Sequence, residues 1–345
     1  MFARSRIPVA KLLTEGALPG RAQRRIYRRR GYKIGSDVEF APGVVIEGDD
    51  VEIAEGASFG IGTVIRGRRI RIGRRAHIGS FCFFDGRDME IGDDATVREQ
   101  VYVGGPMLPD SLLEIGRRVK IFQTCFLNPS RPLKIGDDTG VGGRSSIFTH
   151  GSWQSVLDGY PVAFEPVTIG KNVWLPWHVF ILPGVEIGDS ATIGAGSVVN
   201  RSIPAGALAA GVPAKVLKGA DEWPRPIDSE RQWELARSII EEFAGYLGGN
   251  GVRVEHEATA RCVTLTFDHG GSSHRVSLGR TSDDLADDAS VSLVVSGTVA
   301  AAARSDRPWF SLLEKEKGGT ASDVSQEVDE FLARYGLRFQ PYDER

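Results

Sequence analysis

The 345-residue sequence is poor in the features that mark a secreted or membrane-spanning protein. Its three scattered cysteines, Cys82, Cys125 and Cys262, are too few for a disulfide framework, which favours a reducing compartment. No run of eighteen apolar residues occurs, and no signal-peptide core precedes a small-residue cleavage site. These absences predict a cytoplasmic protein. Apolar residues make up 41% and charged residues 25%, so a disordered chain is excluded.

Motifs for nucleic acids and nucleotides are also missing. No known nucleic-acid-binding pattern occurs, and no glycine-rich loop follows a strand and opens a helix. The two ends of the sequence have opposite net charges although the whole chain carries only −3. Residues 1–33 carry +9 and residues 221–345 carry −9. The cationic segment is either a solvated cap or a contact with a peripheral membrane surface or a lipid-linked substrate.

A regular repeat occupies the middle of the sequence. Apolar residues recur every six positions in groups of three, and glycine commonly follows the first member, as at Ile72-Gly73. Neither the helical period of 3.6 nor the strand period of two produces this pattern. The eight triplets are Ile34, Phe40, Ile46; Ile53, Phe59, Ile65; Ile72, Ile78, Phe84; Ile91, Val97, Val103; Ile115, Ile121, Leu127; Ile135, Val141, Ile147; Ile169, Leu175, Ile181; and Ile187, Ile193, Val199.

A period of six with three members per unit predicts a triangular coil of about eighteen residues. Three short strands per coil each point one apolar side chain inward, and coils stack about 4.8 Å apart with their backbones paired in parallel. At about 1.5 to 3 kcal/mol for each fully buried side chain, the inward residues are ample for a core. The sequence therefore predicts a mainly β fold, a parallel β-helix of about eight coils.

Two loops interrupt this repeat. The first members of successive triplets lie 18 to 20 residues apart, except for one step of 24 and one of 34. The smaller loop lies near residues 104–111, and the larger one occupies roughly residues 150–166. Loops that leave a regular solenoid tend to carry binding. A lone histidine in a turn is usually a polar surface residue, but His150 stands at the start of the larger loop and is therefore a candidate for chemistry.

The flanks of the repeat predict two further parts. Residues 1–33 form a basic helical cap, with one or two helices over residues 4–30 broken near Pro19-Gly20 and an incomplete apolar face. Residues 34–219 form the β-helix, and residues 220–345 form a small α+β domain after a linker. Two helices are predicted in that domain, one over 229–247, which Gly248-Gly249 ends, and one over 322–335. The predicted strands span 252–257, 261–267, 275–278 and 291–296.

The end of the repeat resembles a known family. Residues 172–174 read NVW, residues 182–188 read LPGVEIG, residues 193–199 read IGAGSVV, and residues 211–218 read GVPAKVLK. Together they resemble the closing coils of hexapeptide-repeat acyltransferases, closest to the maltose and galactoside O-acetyltransferase group. The resemblance implies a left-handed β-helix, an exception to the usual right-handed crossover, and a homotrimer with active sites between subunits.

The resemblance also implies a mechanism. It places the catalytic histidine of the family at Thr149-His150, where neutral imidazole can take a proton from an acceptor as it attacks a thioester carbonyl. Direct transfer in a ternary complex follows from that role. The implied oxyanion donor is a backbone N–H in the turn after Trp174. Pro176 stands where the family usually has glycine and has no N–H, which leaves the N–H of Trp177 as the candidate.

Acetyl-CoA is the acyl donor that the resemblance implies. Its phosphates need cations and backbone donors, although each charged residue taken alone is explicable as a solvated surface charge. The residues assigned to the cofactor are Trp174, Ala195, Asn200, Arg201, Gly211, Lys215 and Lys218. For the acceptor, an aromatic side chain beside hydrogen-bonding groups suits a sugar, but loop aromatics also pack on neighbouring subunits. The acceptor candidates are Gln123, Asn128, Trp153, Tyr160 and Glu165.

No metal is expected. His77 belongs to the third coil and His150 to the sixth, so they lie about 14 Å apart and share no zinc ion at about 2.1 Å. His178 is a candidate second base or metal ligand, but we interpret it as a structural residue. Cys82 and Cys125 each lie two positions before an inward residue, where small side chains fit a tight coil, so an acyl-cysteine intermediate is not expected.

The sequence therefore predicts a CoA-dependent acyltransferase, with O-acetylation of a sugar in surface polysaccharide or glycoconjugate biosynthesis as the favoured reaction. The first alternative is an N-acyltransferase acting on an amino-sugar nucleotide. The second is a non-catalytic trimeric scaffold whose C-terminal domain binds a partner. Nucleic acid is not an expected partner of any of the three.

Overall fold

The computed structural model describes residues 8–297 and 306–341. The chain divides into two compact units between Arg225 and Pro226, six residues beyond the domain boundary predicted from the sequence. Residues 4–7, where the predicted N-terminal helices begin, lie outside the described residues. Within the described residues, no helix is both long and apolar enough to cross a membrane.

Two short helices open the first unit. Helix α1 spans Val9–Thr14, and helix α2 spans Gly20–Arg29, with Pro19 as its N-cap, so the predicted break near Pro19-Gly20 is present. Tyr27 of α2 is fully buried, and its hydroxyl accepts a hydrogen bond from the backbone N–H of Ile46 at 3.0 Å. Helix α2 therefore covers the open end of the first coil.

The predicted β-helix is confirmed as three parallel sheets, each of which takes one strand from every coil. Sheet A contains Lys33–Ile34, Asp50–Ile53, Arg69–Ile72, Asp88–Ile91, Leu112–Ile115, Leu133–Ile135, Val167–Ile169 and Glu186–Ile187. Sheet B contains Glu39–Phe40, Ser58–Phe59, His77–Ile78, Thr96–Val97, Lys120–Ile121, Gly140–Val141, Trp174–Leu175, Thr192–Ile193, Leu208–Gly211 and Ala214–Lys218. Sheet C contains Val45–Glu47, Val64–Arg66, Phe83–Asp85, Tyr102–Val103, Phe126–Asn128, Ser146–Phe148, Phe180–Ile181 and Val198–Val199.

Eight complete coils are followed by part of a ninth, which the sequence did not predict. Ile203 bridges to Ile187 of sheet A, and Leu208–Gly211 pairs in parallel with Thr192–Ile193 of sheet B. The chain then reverses, and Ala214–Lys218 pairs antiparallel with Leu208–Gly211. This reversal ends the solenoid because it places an antiparallel strand at the edge of sheet B, where a further parallel coil would stack.

The core of the solenoid consists of the predicted inward residues. All of them are buried, and the most exposed is Ile34 at 9%. Each strand of the parallel coils is only two to four residues long, so stability comes from stacking the coils rather than from any single strand. Smaller buried residues such as Ala57 and Cys125 fill the space beside the turns.

The larger loop contains its own local structure. His150–Gly151 and Ala163–Phe164 form a two-stranded antiparallel ladder at its base, and a 3-10 helix spans Val156–Asp158. The backbone N–H of Glu165 donates to the carbonyl of Thr149 at 3.0 Å, which closes the base of the loop. The loop is thus a hairpin that projects from the end of the sheet C strand Ser146–Phe148.

The second unit is a seven-stranded mixed sheet with two helices, α3 (Ser229–Gly249) and α4 (Asp323–Ala333). Helix α3 continues through Gly248-Gly249, which were predicted to end it, and its C-cap is Asn250. The strands in sheet order are Val254–Ala258, Cys262–His269, Ser272–Gly279, Val291–Val294, Trp309–Ser311, Glu316–Gly318 and Gln340–Pro341. The last three were not predicted. A second 3-10 helix spans Ser282–Asp284.

Candidate active site

His150 lies at the base of the loop, where a hydrogen bond and a ring contact hold its imidazole. Its Nδ1 atom lies 2.9 Å from the side-chain oxygen of Asn128, one coil earlier in sheet C. The ring of Phe164, its partner in the antiparallel ladder, stacks on it with centroids 5.5 Å apart and planes inclined by 24°. Contacts on two sides of the ring therefore restrict its orientation.

The bonds of Asn128 define the tautomer of His150. The side-chain amide of Asn128 donates to the carbonyl of Gly104 at 2.9 Å, so its Oδ1 atom is the one that faces His150. An amide oxygen can only accept, so Nδ1 of His150 carries the hydrogen and Nε2 is left with a free lone pair. Asn128 is 1% exposed, and this arrangement supplies a base with its lone pair on Nε2.

Ser130 completes this buried polar group. Its hydroxyl donates to Oδ1 of Asn128 at 2.9 Å and lies 3.3 Å from Nδ1 of His150. The hydroxyl of Thr149 donates to the backbone carbonyl of Asn128 at 2.7 Å, which joins the two coils directly beside the imidazole. Each buried polar side chain in the group has a partner, as a rigid polar site requires.

Burial lowers the pKa of His150 below its ordinary value. Desolvation disfavours the charged imidazolium, and no neighbouring charge contributes to the shift. At neutral pH the side chain is therefore predominantly neutral, which is the protonation state that a general base needs.

Trp177 lies in a different row of turns, those that follow the strands of sheet B, which we call the B–C corner. Its backbone N–H donates to no acceptor within residues 8–297 and 306–341, while the next N–H, of His178, donates to the carbonyl of Gly143 in the preceding coil at 3.1 Å. His178 adopts a left-handed conformation with φ 63°, which is typical of this turn position along the solenoid. The N–H of Trp177 is thus available to a ligand.

Two tryptophan rings near this corner lie on glycines of the coil beneath. A methyl group built on Gly140 would meet the Trp174 ring at 2.7 Å, and one on Gly143 would meet the Trp177 ring at 2.5 Å. Only glycine leaves room for the rings to lie this close to the backbone. Both rings keep a solvent-facing side, with Trp174 38% and Trp177 40% exposed.

The histidine and the tryptophan turn do not meet within one chain. His150 belongs to the row of turns that follows sheet C, which we call the C–A corner. The strand segment from Trp177 to Leu182 separates the two corners by about 17 Å at about 3.3 Å per residue. One carbonyl carbon cannot contact both groups of the same chain at that separation.

The residues assigned to the cofactor are divided between these corners. Asn200 and Arg201 lie at the C–A corner and are exposed, whereas Ala195 and Gly211 lie at the B–C corner. The backbone N–H of Gly211 donates to the hydroxyl of Ser197 at 3.0 Å. Lys215 and Lys218 lie in the final strand of sheet B, and Lys218 places its ammonium 5.5 Å from the ring centre of Trp223.

The acceptor candidates are likewise not gathered in one place. Gln123 lies in the B–C corner, while Trp153, Tyr160 and Glu165 belong to the loop and are exposed, Trp153 by 94%. Asn128 is buried with its amide already bonded, and this geometry favours positioning of His150 over contact with an acceptor. The acceptor contacts of all five residues stay predictions.

Sequence reasoning missed Ser130 and Phe164 as neighbours of His150. No spacing signal identifies either one, because each becomes adjacent only when two coils or the two ends of the loop are brought together. Burial raises the pKa of Cys82 and of Cys125 to about 11, so both thiols stay protonated near neutral pH. In the part of the chain that the structure describes, no three His, Cys, Asp or Glu side chains are grouped to hold a metal ion.

Comparison with known proteins confirms the resemblance to hexapeptide-repeat transferases. Residues 166–201 match the family described as bacterial transferase hexapeptide (six repeats). The galactoside O-acetyltransferase of Escherichia coli is 36% identical over 134 residues, which is 36% of this chain and 63% of that protein. A candidate acetyltransferase of Saccharomyces cerevisiae is 45% identical over 127 residues, 35% of this chain and 57% of that protein. The chain thus spans less than two thirds of either relative.

Among solved structures, a hexapeptide-repeat acetyltransferase of Vibrio cholerae complexed with acetyl coenzyme A is similar at 17% identity. The match covers 61% of this chain and 84% of that chain, with a TM-score of 0.30.

Proposed function

We propose that the chain is a CoA-dependent acyltransferase that moves an acetyl group from acetyl-CoA to a hydroxyl group of a sugar, with His150 as general base. The observation that carries the proposal is the 2.9 Å hydrogen bond between Nδ1 of His150 and Oδ1 of Asn128. It leaves Nε2 as a free base at the mouth of the largest loop. The similarity to acetyltransferases supports the choice of acyl donor.

The proposed reaction is direct transfer within a ternary complex. Nε2 of His150 removes the proton of the acceptor hydroxyl while the hydroxyl oxygen bonds to the thioester carbonyl carbon. The resulting oxyanion accepts a hydrogen bond from the backbone N–H of Trp177. When the C–S bond breaks, the proton on Nε2 passes to the leaving sulfur, so the products are an acetyl ester and free CoA.

This mechanism requires more than one copy of the chain, because His150 and Trp177 lie at different corners of the coil. A homotrimer brings the C–A corner of one copy to the B–C corner of the next. The face of sheet C between these corners carries a ladder of aromatic rings with centroid spacings of 5.0 to 5.4 Å. The ladder consists of Phe83, Tyr102, Phe126, Phe148 and Phe180. We assign it to the subunit contact, since partly exposed aromatic rows are typical of interfaces.

Binding of acetyl-CoA follows from the same arrangement. The exposed Arg201 and Lys215 supply cations for its phosphates, and the free N–H groups of the B–C corner face its pantetheine arm. On the acceptor side, Trp153, Tyr160 and Glu165 combine aromatic surface with hydrogen-bonding groups, which suits a sugar of a surface polysaccharide or glycoconjugate.

Three experiments test this function. Acetyl-CoA should raise the melting temperature of the full chain, and no shift at millimolar ligand would favour the non-catalytic scaffold. His150→Ala should lower kcat by about 10²-fold or more while the Kd for CoA is unchanged. Full turnover by this variant would exclude His150 as the base. A panel of sugars and amino-sugar nucleotides separates O-acetylation from N-acylation.

A further inference from the structure

Helix α2 has one face buried against the first coil. Gln23 and Tyr27, one helical turn apart, are the buried residues of the helix. The side-chain amide of Gln23 donates to the carbonyls of Glu15, Gly16 and Leu18 at 3.1 to 3.2 Å, and the Tyr27 ring packs edge-on against Phe40. These contacts fix the rotation of the helix about its axis, so its opposite face points away from the solenoid.

That opposite face is built from arginine. At 100° per residue, Arg21, Arg25, Arg28 and Arg29 all lie within about 60° of the direction opposite Gln23 and Tyr27. All four are exposed, and Arg24 lies on the flank, half-buried. We call Arg21, Arg24, Arg25, Arg28 and Arg29 the arginine face. From Arg21 to Arg29 it extends over about 12 Å, at 1.5 Å per residue.

Most of these charges lack an acidic partner. In residues 8–297 and 306–341, no carboxylate lies within ion-pair distance of Arg21, Arg24, Arg25 or Arg29. Arg28 donates to the backbone carbonyls of Ile34 and Gly35, both at 2.9 Å, and keeps its charge uncompensated. By contrast, Arg30, which lies outside the arginine face, forms an ion pair with Glu15. The arginine face is thus a concentrated positive surface at one end of the solenoid.

An exposed apolar side chain is present in the preceding helix, α1. Leu13 of α1 is 73% exposed, although leucine in a short helix beside a core is usually buried. No aromatic side chain is exposed on α2, so the platform on which bases of a single-stranded nucleic acid stack is missing. Arginines on one helix and an exposed leucine on the preceding helix match a surface that offers both anionic groups and an apolar interior.

We propose that the arginine face and Leu13 bind the surface of a bilayer that contains anionic phospholipid. The guanidinium groups contact lipid phosphates, and Leu13 inserts into the boundary between head groups and acyl chains. Binding of this kind is peripheral and weakens as salt screens the charges. It holds the end of the solenoid that helix α2 covers against the membrane.

The test is co-sedimentation of the full chain with vesicles of phosphatidylcholine, with and without 30% phosphatidylglycerol. The chain should sediment with the anionic vesicles only, and binding should fall between about 0.1 M and 0.5 M NaCl. R21Q/R25Q/R29Q should weaken partitioning about 100-fold, since each basic residue near an anionic surface contributes about a factor of five. Arg28 is left intact because of its bonds to the first coil.

The matched control is R231Q/R237Q/R253Q, which makes the same change in net charge in the second unit and should leave partitioning unchanged. Leu13→Ser separates a bilayer from a soluble polyanion, because it should weaken vesicle binding several-fold and leave binding to duplex DNA unaltered. The proposal is overturned if the chain binds neither kind of vesicle or both equally. It is also overturned if R21Q/R25Q/R29Q binds like the unaltered chain, or if Leu13→Ser has no effect on vesicle binding.

Discussion

The side-chain oxygen of Asn128 accepts a hydrogen bond from Nδ1 of His150 across two adjacent coils, at 2.9 Å. This one contact determines which imidazole nitrogen carries the hydrogen. It also explains why Asn128 is buried with its amide bonded to Gly104 rather than pointing into solvent.

Replacement of Asn128 should therefore impair catalysis without impairing cofactor binding. Asn128→Ala removes the acceptor for Nδ1–H, and we expect kcat to fall about 100-fold because the wrong tautomer becomes populated. Asn128→Asp restores an acceptor, so it should retain more activity than the alanine variant. Steady-state kinetics with a CoA-release assay measures both variants, and an unchanged kcat in Asn128→Ala would refute the positioning role.

The pH dependence of the reaction should reflect the lowered pKa of His150. A base works only when unprotonated, so kcat/KM should be constant near neutral pH and fall at a pH below about 6.5, the ordinary histidine value. Phe164→Ala exposes the imidazole and should move this fall in kcat/KM, the acidic limb of the pH profile, to a higher pH. Asn128→Asp should move it further in the same direction, since a carboxylate favours the imidazolium. A limb at the same pH in all three proteins would contradict this account.

The same lowered pKa has a consequence for stability. Protonation of His150 favours the unfolded state, in which its pKa is ordinary, so the free energy of unfolding should decrease as the pH falls below about 6.5. Chemical denaturation of the unaltered chain and of His150→Gln, compared at pH 7.5 and pH 5.5, measures this contribution. The variant should lose less stability over this interval than the unaltered chain.

The turn at Trp177 should depend on the glycine beneath it. In Gly143→Ala the new methyl group meets the indole at 2.5 Å, so the ring and its turn must shift. We expect kcat to decrease about tenfold, because a displaced N–H stabilises the oxyanion poorly. Gly151→Ala is the matched control, since nothing lies within 4 Å of its added methyl group. Equal kcat values for the two variants would argue against Trp177 as the donor.

The aromatic ladder of sheet C should control assembly. Phe180 is 37% exposed at one end of the ladder, and Phe180→Arg places a charge in the proposed subunit contact. Analytical ultracentrifugation should show a shift from trimer to monomer together with loss of activity. Leu235→Arg, at a position 39% exposed in the second unit, should change neither. A trimeric and active Phe180→Arg protein would place the interface elsewhere.

Much of the fold was predictable because the solenoid is a local repeat. The inward residues recur at a fixed spacing, so their burial follows from the period alone, and all of them are buried. The second unit was less predictable. The strand Trp309–Ser311 is buried at all of its positions, so it lacks the alternation that identifies a strand, and Glu316–Gly318 and Gln340–Pro341 are too short to be recognised.

The sequence by itself determined the number of complete coils, the two loops and the place of His150 at the start of the larger one, because a six-residue period is set by neighbours along the chain. Only the tertiary structure decided what His150 contacts. Asn128, Ser130 and Phe164 lie 22, 20 and 14 positions away, and coil stacking and loop closure bring them together. Contacts across coils depend on register and rotamer, which the period of a repeat does not specify.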